Sequence, residues 1–121
     1  MPTVLDGPQT LVLVFGAPSY AQAPAAWQTL REAFPQAVQL GCSTAGEIFE
    51  GEVRDDTLSV AVLKFGATQL VRAVTAVTHR EDSAAAGQRL ATQLNRAGLR
   101  AVLVFSEGVQ VNGTALVDAL T

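Results

Sequence analysis

The run Gly41-Cys42-Ser43-Thr44-Ala45-Gly46-Glu47-Ile48 concentrates the residue types that bind or react. Gly41 and Gly46 let backbone approach a ligand closely. Cys42, Ser43 and Thr44 offer short side chains and successive N–H groups suited to an anion or a carboxylate. Glu47 offers a negative charge to a ligand amine. A second set of polar residues, Ser106, Glu107 and Asn112, follows another apolar run, and Ser19 and Tyr20 follow a third. The rival reading of all three segments is plain turn chemistry, which uses the same Gly, Ser, Thr and Asn.

Catalytic readings need a partner for the nucleophile. Cys42, at a loop rich in N–H groups, is the candidate nucleophile. The only histidine, His79, precedes Arg80-Glu81-Asp82 and reads as a solvated residue at a helix start, not as a base. Glu47 and Glu107 could work as an acid and base pair, but their positions in the chain fix no separation. One Cys and one His are too few for zinc. Gly41-x4-Gly46 lacks the lysine of a phosphate-binding P-loop, and Asp55-Asp56 reads as a solvated turn. Binding is therefore preferred to catalysis, with a Cys- or Ser-dependent hydrolase or transferase, or a structural interaction lobe, as alternatives.

These residues need strands and helices behind them. Leu11 to Phe15 is an unbroken apolar run stopped by Gly16-Ala17-Pro18, as in a strand buried on both faces, and Ala101 to Phe105 repeats it. The two are expected to be central parallel neighbours. Between them, Trp27, Leu30 and Phe34 mark an amphipathic helix from Pro24 to Phe34, and Ala37 to Leu40 a short strand that ends where the polar run begins. Thr57 to Phe65 and Gln69 to Val77 read as two antiparallel strands turning at Gly66-Ala67. Asp82 or Ser83 caps a helix to about Ala97 with Gly98 as its stop, and Asn112-Gly113 opens a last helix, Thr114 to Leu120.

The order β-α-β-β-β-α-β-α describes an α/β fold, a mixed β-sheet with helices packed on it. Ligands of such sheets settle outside the carboxyl ends of parallel strands, so the three polar segments are expected on one edge.

At 121 residues, 49% apolar and 16% charged, the chain is expected to fold as a single domain, 1–121. No cap or stop follows Leu120, so a longer parent domain is expected beyond it. A net charge of −3 with eight Lys and Arg excludes a nucleic-acid surface as the expected partner. No apolar run is long enough to span a membrane, and a single cysteine agrees with a reducing compartment, so a cytoplasmic location is expected.

The Gly41 to Ile48 run, with Phe105-Ser106-Glu107-Gly108 and Asn112-Gly113, resembles the N-terminal region of the FIST domain over nearly the whole chain. The resemblance implies a sensory module of signal-transduction proteins that binds small molecules such as amino acids or related metabolites. It also implies partners: a C-terminal FIST portion and output domains such as histidine kinases or diguanylate cyclases. No cofactor is implied. On this reading Gly41, Cys42, Ser43, Thr44, Gly46, Glu47, Ser106, Glu107 and Asn112 line the ligand site.

Overall fold

Alternate residues of the Leu11 to Phe15 run face opposite ways, and they meet different surroundings in the computed structural model, which describes residues 3–121. The strand β1 spans Thr10–Gly16; Thr10, Val12, Val14 and Gly16 are buried, while Leu11, Leu13 and Phe15 are half-buried. One face is thus sealed and the other only partly covered, where burial on both faces was expected.

The sealed face packs on two helices, α1 (Pro18–Ala21) and α2 (Pro24–Ala33), each started by a proline whose missing N–H costs nothing at the first turn. Leu30 and Phe34 join Val12 and Val14 in the core, and Trp27 packs against it. The strand β2 (Val38–Ser43) runs parallel to β1, and β5 (Leu58–Lys64) runs antiparallel along its other edge, giving a three-stranded mixed sheet of order β2-β1-β5. Gln39, on the helix-covered face of β2, donates to the carbonyls of Leu30 (3.0 Å) and Phe34 (3.2 Å), so a polar residue in the layer satisfies the end of α2. Asp6 ties down the start of β2 by accepting from the N–H groups of Gln36 and Ala37, each at 3.1 Å.

A hairpin absent from the sequence reading sits between β2 and β5. Strands β3 (Glu47–Phe49) and β4 (Glu52–Arg54) pair antiparallel through a two-residue turn, Glu50-Gly51, with φ of 50° and 80°. Two positive φ values make the primed turn whose twist suits a tight hairpin, and Glu50 adopts one without being glycine.

The chain divides into two units, one ending at Leu70 and the other running Val71–Thr121. In the second, α3 (Ser83–Leu94) packs on α4 (Gly113–Leu120). Ser83 Oγ accepts from Asn112 N–H at 2.9 Å, and Gly87 lies against Leu116, so the contacts step forward together and the two helices run parallel.

The α/β class with a mixed sheet holds, but two expected strands do not form. Residues 69–77 and 101–105 form no strand. For the first, α3 supplies what a neighbouring strand would. Gln93 both donates to Val74 O (3.1 Å) and accepts from Val74 N–H (3.3 Å), and Arg89 donates to Ala76 O (2.7 Å) and Thr75 Oγ1 (2.8 Å). The same guanidinium holds Asp82 at 2.9 Å, and this hydrogen-bonded pairing draws the Asp82 carboxyl below its ordinary pKa. With Asp82 turned to Arg89, its side chain caps nothing. α3 ends at Leu94, short of Ala97, and Gly98, with φ of 82°, serves a later turn closed by Leu99 N–H on Arg96 O.

A methyl group on Gly87 would lie 2.4 Å from Leu116 O and 2.8 Å from Ala119 Cβ, and the first is backbone that cannot rotate away. Gly87→Ala is expected to force α3 and α4 apart at a cost on the order of 3 kcal/mol. Denaturant unfolding checks this, and an unchanged midpoint would contradict the close approach.

Candidate functional site

Gly41, Cys42 and Ser43 belong to β2 and not to a loop. The parallel register pairs Val14 with Gly41, Phe15 with Cys42 and Gly16 with Ser43, because β1 remains available for pairing through Gly16. The polar loop shrinks to Thr44, Ala45 and Gly46. Its first residue stitches the strand ends together: Thr44 N–H donates to Gly16 O at 2.8 Å, and Ala17 N–H donates to Thr57 O at 3.0 Å.

Gly41 is needed for packing. A Cβ there would lie 2.5 Å from Val14 O and 3.3 Å from the Trp27 ring, so its bare backbone makes room for the β1 carbonyl and the indole. Trp27 Nε1–H donates to Tyr20 O at 3.0 Å, which fixes the ring over the end of β1. Strand alternation turns Ser43 and Cys42 to opposite faces; Ser43, at the end of the strand, is exposed and Cys42 is half-buried.

Glu47 is the most constrained residue of the motif, with only 3% of its surface exposed. Its Oε2 accepts from Thr44 Oγ1 at 2.6 Å. Its Oε1 accepts from Thr57 Oγ1 at 2.6 Å and from Thr57 N–H at 2.9 Å. The Thr44 hydroxyl above all, then that of Thr57, holds the carboxyl below its ordinary pKa against the opposing effect of burial. Both oxygens thus accept hydrogen bonds within the protein, in a clamp joining the loop, β3 and the start of β5. Thr57 is the partner the sequence did not disclose, since it reads there as the first residue of a strand.

Ser106, Glu107 and Asn112 lie in the second unit. Glu107 accepts from the N–H groups of Gln110 and Val109, and these bonds, Gln110 first, lower its pKa. Asn112 is the N-cap of α4, its Oδ1 accepting from Ala115 N–H at 3.2 Å. Ser106 is exposed. Local turn and cap chemistry therefore accounts for two of the three. His79 is exposed as well, its Nδ1 3.5 Å from Glu81 Oε2.

What remains at the strand ends is a crevice walled by Ala17, Tyr20, Trp27, Cys42, Ser43 and Leu58. Its volume is about 10 Å³, room for one water at most. Neither the Tyr20 nor the Ser43 hydroxyl has a hydrogen-bond partner among the described residues.

A family model, the FIST N domain, matches residues 10–121. The chain belongs to the FIST N family. At the level of that family it is a sensory domain of signal transduction. No curated protein and no solved structure matches the chain. Among the described residues of this FIST N domain, no helix is long and apolar enough to cross a membrane.

The clamp has a testable pH signature. Because folding lowers the Glu47 pKa, its contribution is complete above the ordinary Glu value of about 4.3 and is lost as pH falls through the folded value. Glu47→Gln puts an amide N–H₂ where donors already point. It is expected to lower Tm at pH 7 by on the order of 5 °C and to narrow its gap to the parent as pH drops below about 4. Thermal melts between neutral and acid pH measure both, and a gap constant with pH would refute an ionised clamp.

Proposed function

We propose that this FIST N domain senses a small amino-acid-like molecule at the carboxyl ends of β1 and β2 and catalyses no reaction. The observation that carries the reading is the crevice, which lies at the ends of two adjacent parallel strands and presents the unpartnered hydroxyls of Tyr20 and Ser43. An amino acid exceeds its volume, so binding requires the crevice to widen. The Thr44–Glu47–Thr57 clamp closes the same corner of the sheet and is the element such widening would strain.

A ligand signals only if it favours one of two arrangements over the other. In this reading the occupied state is the widened one, and it is read in the cytoplasm by a C-terminal FIST portion and an output domain. Cys42 and Ser43 serve as wall and hydrogen-bonding groups, not as nucleophiles.

The hairpin favours a second reading, an interaction lobe. Ile48 and Val53 face each other across β3 and β4 yet are 72% and 74% exposed, unusual for paired bulky side chains with nothing to cover. The two readings separate in one experiment. A thermal-shift screen of amino acids on the full chain is expected to give a saturable rise of roughly 5 °C or more at a hundred times Kd for at least one compound. Tyr20→Phe with Ser43→Ala is expected to abolish the rise without moving the unliganded Tm. No stabilising compound would sink the sensor reading at this site and leave the lobe.

A further inference from the structure

A larger concavity lies within the second unit. Its volume is about 400 Å³, inside the roughly 300–1,000 Å³ range of small-ligand pockets. It forms where α3 and α4, in contact at Gly87 and Leu116, reach their last turns. Ala91 and Leu94 of α3, Leu120 of α4, Leu99 of the following turn and Val102 beyond it make apolar walls. Leu99 and Val102 keep 49% and 43% of their surface in water, so the walls retain apolar area that an occupant would cover.

One charged side chain lines this cleft. Arg96 is exposed, and among the described residues its guanidinium makes one hydrogen bond, to the adjacent Asn95 O at 3.1 Å. It enters none of the ion pairs among the described residues. A cation just past the end of α3 also complements that helix dipole, a role that would require no apolar walls around it. The walls and the uncommitted guanidinium fork together describe an amphipathic anion. The fork matches one planar carboxylate bidentately. A polyphosphate would need further cations, and no lysine or second arginine lines the cleft.

We propose that this cleft binds an apolar monocarboxylate, a medium-chain or aryl acid, with its carboxylate on Arg96 and its hydrocarbon against Leu94, Leu99, Val102 and Leu120. The site is separate from the crevice at the strand ends, and the two stand or fall independently because they are read at different residues.

Methyl-resolved NMR of the full chain, titrated with octanoate, octanol and octylamine, tests this. Octanoate is expected to shift the Leu94, Leu99, Val102 and Leu120 methyls saturably and to bind more tightly than the alcohol, and the amine more weakly than either. Arg96→Gln, at an exposed position, is expected to weaken octanoate by about tenfold and to leave octanol as it was. Equal affinity for all three probes, or equal affinity of parent and variant for octanoate, would overturn the proposal. So would octanoate shifts confined to methyls of the first unit, such as Val12 or Leu58, which would move the carboxylate to the strand ends.

Discussion

A carboxylate taken out of water stays charged only where donors replace the water it loses. Glu47 meets that condition with three donors from two threonines, and the arrangement of the first unit hangs on it. Thr44 follows β2, Glu47 begins β3, and Thr57 precedes β5, so one side chain joins the β2–β3 connection to the β4–β5 connection. Without such a joint, a hairpin of two three-residue strands with largely exposed apolar side chains would have little to hold it against the sheet. The charge anchors the hairpin, which lies beside the polar loop with Val53, Arg54 and Asp55 around Gly46.

The second unit solves a related problem differently. Extended backbone needs partners for its N–H and C=O groups, and strands normally provide them. Here a carboxamide and a guanidinium take that part. Gln93 presents one donor and one acceptor to Val74, the same pair a neighbouring strand residue would offer, and Arg89 distributes its fork among Asp82, Thr75 and Ala76. Because both come from one face of α3, the segment is fixed by a helix and not by a sheet.

Much of this could be read from the chain. The proline starts of α2, the Leu30 and Phe34 spacing, the apolar run of β1 and the Asn112 cap announce themselves through local chemistry, and all are found where that chemistry puts them. The failures share a cause. An apolar run reports that a segment wants cover but not what will cover it, so residues 101–105 looked like the twin of β1. The Glu50-Gly51 turn was hidden because its flanking strands are three residues each, too short for alternation to register. At the site, the sequence offers Gly41, Thr44 and Glu47 to a ligand, and the packing and clamping that also engage them are not visible in it. A sequence shows which groups can hydrogen-bond and stays silent about Thr57, ten residues from Glu47, claiming the carboxylate first.

The parallel course of α3 and α4 sets a length. After twelve residues of α3 the chain must return to the level where that helix began before α4 can start beside it, a distance of about 18 Å at 1.5 Å per residue. Extended backbone covers that in roughly six residues. The eighteen residues from Asn95 to Asn112 cover that distance with length to spare, and the surplus goes into the turn closed by Leu99 N–H on Arg96 O and the loop held by Glu107. The register of α4 on α3 is therefore set by the contacts of Ser83 with Asn112 and of Gly87 with Leu116, and not by the length of the connection.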